Sequence, residues 1–451
     1  MPEPALVEPA PAAHRPAWLR LAPFLGRAPE LSARQWQVLG LVSVATLFDQ
    51  YDRALFSMAL PQIQQGLSIA ESHVGLLGSI VRLGSLPAFG IVLAADRLGR
   101  RRLLLITVVA YTVLTGLTAF APDARSFVAL QFLGRAFTTA EVLLAIVVIS
   151  EELPAEQRGW GIGALFAIQS LGVGLAALLL PLVDRTPLGW RALYLVGLVP
   201  LLALAHWRRS LPETERFERH REHLEQSGDA FSRRALSPVL SLVRAYPGRF
   251  AALCAVVFCG ALGGAAPDFY GPKYLQDAHG WAPADVTLLF IAGGALGIAG
   301  ATFCGWWSDR FGRRRAAIVL GSAVVGLALV FYNVRGAWLA PVWIAMIFTL
   351  IGNDAVLSTY SAEVFPTSYR STATGARMVV ATLAAGIGLA LESLLYGRLG
   401  SHWTATSWLL GISLGAPLLV ALFFPETAGR SLEDISPERA LEVGGPDEPA
   451  T

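Results

Sequence analysis

The sequence predicts an all-α integral membrane protein with twelve transmembrane helices in two pseudo-symmetric six-helix bundles. Three observations carry this. Of the 451 residues, 54% are hydrophobic and only 15% charged, against about 25% charge in soluble domains, and mean hydropathy is +0.53. Twelve segments approach the roughly 20 apolar residues that a helix needs to cross a bilayer. Charged signatures also recur at nearly one spacing. Asp96-Arg97-Leu98-Gly99-Arg100-Arg101-Arg102 returns 213 residues later as Asp309-Arg310-Phe311-Gly312-Arg313-Arg314-Arg315. Glu151-x-x-Pro154-x-x-x-Arg158 returns after 212 residues as Glu363-x-x-Pro366-x-x-x-Arg370, and Pro212-Glu213-Thr214 after 213 as Pro425-Glu426-Thr427. Each copy closes an apolar run, so the duplicated unit is a membrane bundle.

Taken in order, residues 1–35 are rich in Pro and Ala and carry Arg15, Arg20, Arg27 and Arg34. No apolar core with a small-residue cleavage site follows, so a cytoplasmic tail without a removable signal peptide is expected. The N-terminal bundle, 36–208, has spans near 36–60, 74–95, 103–121, 127–150, 160–183 and 190–207. Residues 209–249 alternate Glu, Arg and His and read as a cytoplasmic inter-domain segment, partly helical. The C-terminal bundle, 250–424, has spans near 250–275, 284–307, 315–333, 338–362, 372–396 and 404–424. Residues 425–451 form a polar cytoplasmic tail whose far end is expected to lack structure. Glycines in span 5 (Gly161, Gly163, Gly172, Gly174) and span 8 (Gly293, Gly294, Gly297, Gly300) suit close helix contact. Trp36, Trp190, Trp207, Trp338 and Trp403 fall at span ends, as interfacial belts do.

Arginine placement sets the expected orientation. Loops on one side hold nineteen arginines and loops on the other hold five, so both termini are expected in the cytoplasm. Lys273 is the lone lysine. Such Arg and Ala usage fits a GC-rich bacterial genome, hence a bacterial inner (plasma) membrane. A net charge of +2 leaves no excess for nucleic acid. Cys254, Cys259 and Cys304 lie in apolar runs without metal or disulfide spacing. No nucleophile elbow, phosphate loop or metal-ligand cluster is present, which argues against an enzyme.

Ionisable residues inside a bilayer are costly and are functional candidates by default. Asp49, Asp52 and Arg53 share one face of span 1 by i, i+3, i+4 spacing. Helical rise puts the two aspartates about 20 and 24 Å from the span's cytoplasmic start. Arg82 in span 2 and Arg135 in span 4 fall in the same layer, with Glu141 nearer mid-depth. Two readings stand side by side. In one, a carboxylate here exchanges a proton as its surroundings change, with Asp49, Asp52, Glu141 and Arg135 as the coupling residues. In the other, the charges form structural pairs such as Asp49–Arg53 and Asp52–Arg82. Arg53, Arg82, Gln169, Asn353, Asp354 and Arg377 are the substrate-facing candidates, with a structural Asp354–Arg377 pair as the competing reading. Asp268, Lys273 and Glu392 fall near outer ends, where long side chains snorkel to water.

These residues resemble the major facilitator superfamily of secondary transporters. Its hallmark is Asp-Arg-x-Gly-Arg-Arg after the second and eighth helices. The Glu-x-x-Pro-x-x-x-Arg and Pro-Glu-Thr elements narrow the resemblance to the sugar-porter and metabolite/proton symporter branch, over roughly residues 36 to 435. One departure is visible: the family's Gly four residues before the Asp is present as Gly305 but replaced by Val92. Asp49-Gln50-Tyr51-Asp52, followed by Ala59-Leu60-Pro61-x-Ile63, looks like helix 1 of aromatic acid/proton symporters, with Gln50 in place of their Gly. Tyr270-x-Pro272-Lys273-Tyr274-Leu275 is similar to their helix 7, and the glutamine pair of sugar porters is absent around 259–264.

The resemblance implies proton-coupled symport of a small organic solute, such as an aromatic or other carboxylic acid, by alternating access. The energy source is the proton gradient, with no cofactor or metal, and the partners are substrate, protons and the lipid bilayer, the protein acting as a monomer. It also implies a cytoplasmic gate of Asp96, Arg97, Gly99, Arg100, Glu151 and Arg158, repeated as Asp309, Arg310, Gly312, Arg313, Glu363 and Arg370. In that gate Glu151 is expected to meet Arg158, and Glu363 to meet Arg370. Two alternatives stay open. A proton-coupled efflux antiporter would carry Gly-Pro-x-x-Gly-Gly in helix 5, where this chain has Gly172-Val173-Gly174-Leu175-Ala176-Ala177. A non-transporting solute receptor is the other.

Overall fold

Every expected span is helical, spans 2 and 12 each as two helices (Glu71–Leu83 with Pro87–Leu93, and His402–Ser413 with Gly415–Phe423), with ends displaced by at most four residues. A computed structural model describes residues 19, 25, 28–93, 98–154, 156–208 and 237–428. The readings placed on Asp96, Arg97, 209–236 and 429–451, and most of those on 1–27, lie outside the described residues. The spans are α1 (Ala33–Met58), α2 (Glu71–Leu93), α3 (Arg100–Ala119), α4 (Ala124–Glu152), α5 (Arg158–Leu179) and α6 (Trp190–Arg208). They continue as α7 (Pro247–Lys273), α8 (Pro283–Phe311), α9 (Arg313–Phe331), α10 (Leu339–Glu363), α11 (Arg370–Leu399) and α12 (His402–Phe423). Among the described residues eleven helices are long and apolar enough to cross a membrane. The twelfth is α1, whose Asp49-Gln50-Tyr51-Asp52-Arg53 stretch breaks its apolar run. The polar interruption that hides α1 from a hydropathy count is also the chemically interesting part of it.

Helix starts follow local chemistry. Ser32 and Gln35 cap α1 reciprocally, at 3.3 and 2.9 Å, and Asp123 with Ser126 does the same for α4. Gly99 and Gly312 precede α3 and α9 at φ of 91° and 106°, a backbone region that costs glycine little. Helices start up to three residues before the expected apolar runs because these polar caps lie outside them. Within the linker, Ser237–Ala245 forms a short helix before α7.

The chain divides into two compact units: Met1–Asp229 with Asp268–Ile291, and Ala230–Pro267 with Ala292–Thr451. The division cuts α7 and α8, whose adjoining ends and connecting hairpin belong to the first unit. The first unit's main apolar cluster joins Leu39, Val42, Leu103, Leu144, Val148 and Leu165 from α1, α3, α4 and α5. Leu25 and Leu31 reach into it from ahead of α1, and the Leu25 carbonyl accepts from Trp160 Nε1 at 3.1 Å. A Cβ on Gly172 would meet the α1 backbone around Leu47 and Tyr51, so α5 and α1 pack as only a glycine contact permits. The second unit's cluster joins Leu253, Val256, Ala317, Leu320, Val356 and Tyr360.

The tryptophan reading needs correction at two positions. Trp207 and Trp338 are exposed, as a belt requires, but Trp36 and Trp190 are buried. Trp36 stacks edge-on against Trp160 at 5.7 Å and Trp190 against Phe127 at 5.6 Å. Neighbouring helix ends cover both rings.

Candidate functional site

In the first unit, α1 turns Asp49, Asp52 and Arg53 into the bundle. Asp49 is 1% exposed; Arg53 Nε donates to its Oδ1 at 3.2 Å, and Arg53 Nη2 lies 3.0 Å from Oδ2 as an ion-pair contact without hydrogen-bond geometry. Asp52 is 8% exposed and is held differently. Its Oδ1 has no hydrogen-bond partner. Gln131 of α4 lies beside the carboxylate, and the charges that reach it are those of Arg135, Asp49 and Arg53. Gln131 and Arg135 are four residues apart on α4 and share a face. Arg135 makes no direct ion pair among the described residues, although Arg53, Asp49, Asp52 and Arg82 all act on it.

Two tyrosines tie α1 into place around these charges. Tyr111 of α3 donates to the Phe48 carbonyl at 2.9 Å, and Tyr51 donates to Leu193 of α6 at 2.7 Å. Lower on α4, Glu141 is buried and accepts from Thr107 Oγ1 at 2.5 Å. Gln169 is half-buried and has no hydrogen-bond partner among the described residues.

The expected Asp52–Arg82 pair does not form. Arg82 instead pairs with Asp268 at 3.6 Å, and both side chains are largely open. The outer end of α7 belongs to this unit and brings Asp268 to α2. The snorkelling expected of Lys273 and Glu392 is also overturned. Lys273 is 2% exposed and donates to Gln64 at 2.6 Å, to Glu71 at 3.2 Å and to Asp277. The π turn Tyr274–Ala278 supplies Asp277, so the ammonium finds its partners within the protein. Glu392, in the second unit, is 0% exposed and hydrogen-bonded to His402 Nδ1 at 2.6 Å.

Also in the second unit, Arg377 of α11 reaches α10, with Nη2 to Asp354 at 2.9 Å and Nη1 to Ser358 at 2.8 Å. Asp354 stays 73% exposed at its side chain. Asn353 Oδ1 is buried without a partner.

The two gate copies share one arrangement, which differs from the expected pairing. Arg100 Nε reaches Glu151 at 3.3 Å in the first unit. Arg313 Nε reaches both oxygens of Glu363 at 2.7 Å in the second. Arg158 and Arg370 turn away from the glutamates and donate to the carbonyls of Leu153 and Phe365, at 3.2 and 3.3 Å. Those carbonyls follow the ends of α4 and α10, where backbone acceptors lack helical partners and a cation is favoured. Asp309 stays within its own loop, 2.8 Å from Arg313, and Arg310 lies over the Trp306 ring.

The Pro-Glu-Thr element completes the second copy. Thr427 Oγ1 donates to Glu363 at 2.6 Å. Glu426 Oε1 accepts the backbone N–H of Arg313 at 2.7 Å, with Arg314, Thr427 and Ala428 around it. Burial pushes the Glu426 carboxyl up, but these four backbone donors outweigh it and hold it below the ordinary glutamate value.

Sequence reasoning gave Glu426 and Thr427 no role, although their repetition flagged them. It passed over Gln131, for which the i, i+4 relation to Arg135 was a usable signal. It also passed over Tyr111, for which nothing local was. Among the described residues no group of three His, Cys, Asp or Glu side chains could hold a metal ion.

This arrangement can exchange a proton at Asp52 against the charge of Arg135, and can offer Arg135 to an anion. Comparison with known proteins bears on which. The profile of the Major Facilitator Superfamily matches residues 42–353 and 253–442. A protein named probable 4-methylmuconolactone transporter from Cupriavidus pinatubonensis is 26% identical, over 88% of this chain and 92% of its own. A gallate transporter from Pseudomonas putida is 26% identical, over 87% of this chain and 89% of its own. Among solved structures, a D-xylose-proton symporter superposes with a TM-score of 0.71 at 18% identity, covering 88% of this chain and 99% of that one. At that identity the likeness speaks for the fold alone.

Proposed function

The chain belongs to the Major Facilitator Superfamily, and from that membership we propose that it imports a small carboxylic acid, aromatic or otherwise, together with a proton. It is a multi-pass membrane transporter and not an enzyme. The observation that carries the proton reading is the contrast within α1. Asp49 forms an ion pair with Arg53, whereas Asp52 makes no direct ion pair among the described residues and shares Arg135 only through its field. A carboxylate in that position changes the charge around Arg135 when it takes up a proton. Arg135, with no direct ion pair among the described residues, suits a substrate carboxylate because the guanidinium fork matches that group's two oxygens. Relatives named for gallate and for 4-methylmuconolactone support the acid class.

In this reading a proton from outside neutralises Asp52, Arg135 becomes available to the substrate anion, and both leave on the inner side. The Arg100–Glu151 and Arg313–Glu363 pairs bias the two-state equilibrium between access modes. The protein sits in a bacterial inner membrane with both termini in the cytoplasm, as the arginine bias supports, and acts as a monomer. The test is uptake of radiolabelled benzoate and gallate into proteoliposomes with an acid exterior. In Asp52→Asn, gradient-driven accumulation is expected to vanish while exchange of internal for external substrate persists. Normal accumulation in both Asp49→Asn and Asp52→Asn overturns the proposal.

A further inference from the structure

Asp52 borders a second set of polar groups, which the relation to Arg135 does not use. Trp190 and Tyr194 lie four residues apart on α6, so they share a face. Both are buried, Tyr194 to 1% exposure. Their rings meet edge-on at 5.9 Å, and Phe127 of α4 packs against Tyr194 at 6.3 Å. Yet among the described residues the Trp190 Nε1 and the Tyr194 hydroxyl have no hydrogen-bond partner, and neither does Asp52 Oδ1. A buried polar group left unsatisfied is costly, and such groups in native folds call for a reason.

Tyr194 and Asp52 belong to one region, while Trp190 Nε1 lies against Gly66 beyond the end of α1. Tyr51, beside Asp52 in sequence, donates to the carbonyl of Leu193, the residue before Tyr194, and its ring packs on Gly197. Asp52 and Arg135 both act on the Tyr194 hydroxyl. The other nearby phenols are already committed, Tyr51 to Leu193 and Tyr111 to Phe48. Trp190 opens α6, and Phe127 lies in the first turn of α4. Both therefore stand at the bundle end opposite the arginine-rich loops. Asp52 lies six residues before the end of α1, about 9 Å by helical rise.

We propose that Tyr194 relays protons to Asp52 from that end of the first unit, through the interior of the bundle. This rests on Asp52 being the proton carrier. A water hydrogen-bonded to both groups gives one proton to Asp52 Oδ1 and takes the phenolic proton of Tyr194. The phenol is reprotonated in the same movement by water arriving past Trp190. One proton is gained by the carboxylate, the phenol ends unchanged, and no tyrosinate accumulates. The other groups facing Asp52 are Asp49, Tyr51 and Arg53 on its own helix, Gln131 and Arg135 of α4, and Tyr111 of α3. The packed helix α5 brings no ionisable side chain beyond Arg158 at its start.

Infrared difference spectroscopy on the purified full chain tests this without a substrate. The protonated-carboxyl stretch that appears on acidification and is missing in Asp52→Asn belongs to Asp52. Tyr194→Phe keeps the ring and removes a hydroxyl without a protein partner, so a merely packing role predicts no change. The expected result is a displaced Asp52 band and, after a pH jump, a rise slowed about tenfold or more, within the range for removing a positioned proton-transfer group. An unchanged band and rate in Tyr194→Phe overturn the relay and leave Asp52 as the carrier. If Asp52→Asn removes no band, Asp52 takes up no proton, and the coupling reading fails along with the relay.

Discussion

At the scale of residues, two aspartates one turn apart have opposite fates. Asp49 is buried in an ion pair with Arg53, a geometry that local spacing announces, since i and i+4 meet on any helix. The pair's two members are unequal, because Arg53 keeps 37% of its side chain exposed while Asp49 keeps 2%. Removing the arginine therefore strands a buried carboxylate, whereas removing the aspartate leaves a cation that can reach water. Arg53→Gln is expected to lower the melting point in detergent, by the equivalent of about 1–2 kcal/mol once partial exposure is discounted. Asp49→Asn added to Arg53→Gln is expected to restore most of that loss. Additive effects in the double mutant would mean that the pair contributes no coupling. Asp52 differs because, beyond Asp49 and Arg53, its neighbours come from α3, α4 and α6, and no spacing within α1 reveals those.

At the scale of elements, helix positions were legible and helix partners were not. Apolar length marks the spans, and glycine at positive φ marks the starts of α3 and α9. The cap of α9 is another matter. Glu426 lies 113 residues beyond Arg313, the backbone it caps, and no periodicity spans that distance. Arg82 met the same limit, because its partner Asp268 sits on the end of α7 that packs with the first unit. The Glu426 cap has a pH signature. Its carboxyl is held below the ordinary glutamate value of about 4.3. It therefore contributes stability that is fully present above that value and is lost as pH falls through the lower, folded value. Glu426→Gln keeps the acceptor and removes the charge at the helix start, which costs about 0.3–1 kcal/mol. Melting points should separate wild type from Glu426→Gln at neutral pH and converge once pH has fallen through the lowered, folded value. A gap that persists unchanged into acid would assign the effect to shape.

At the scale of the whole molecule, the repeat made the architecture readable before any coordinate. The same signatures close α2 and α8, α4 and α10, and duplication turns one bundle into two. The substrate was not readable this way, since the charges at membrane depth nearly balance in number and only their pairing separates them. In the structure Arg53, Arg82 and Arg377 each hold a carboxylate, while Arg135 makes no direct ion pair among the described residues. On the proposed reading, that asymmetry favours an anion and ties its binding to the proton on Asp52. A ligand that binds only the folded protein stabilises it by about 2.7 kcal/mol at a hundred times its Kd. Benzoate, gallate and nicotinate are therefore expected to raise the melting point of the purified chain, more at pH 5.5 than at pH 7.5, while xylose and lipophilic cations do not. Asp52→Asn should keep the ligand shift and lose its pH dependence, because the amide holds Asp52's place in its neutral form at every pH. Arg135→Lys should lose most of the shift, since an ammonium keeps the charge without the two-pronged geometry. Stabilisation by cations alone would point to a different cargo and remove Arg135 from the binding site.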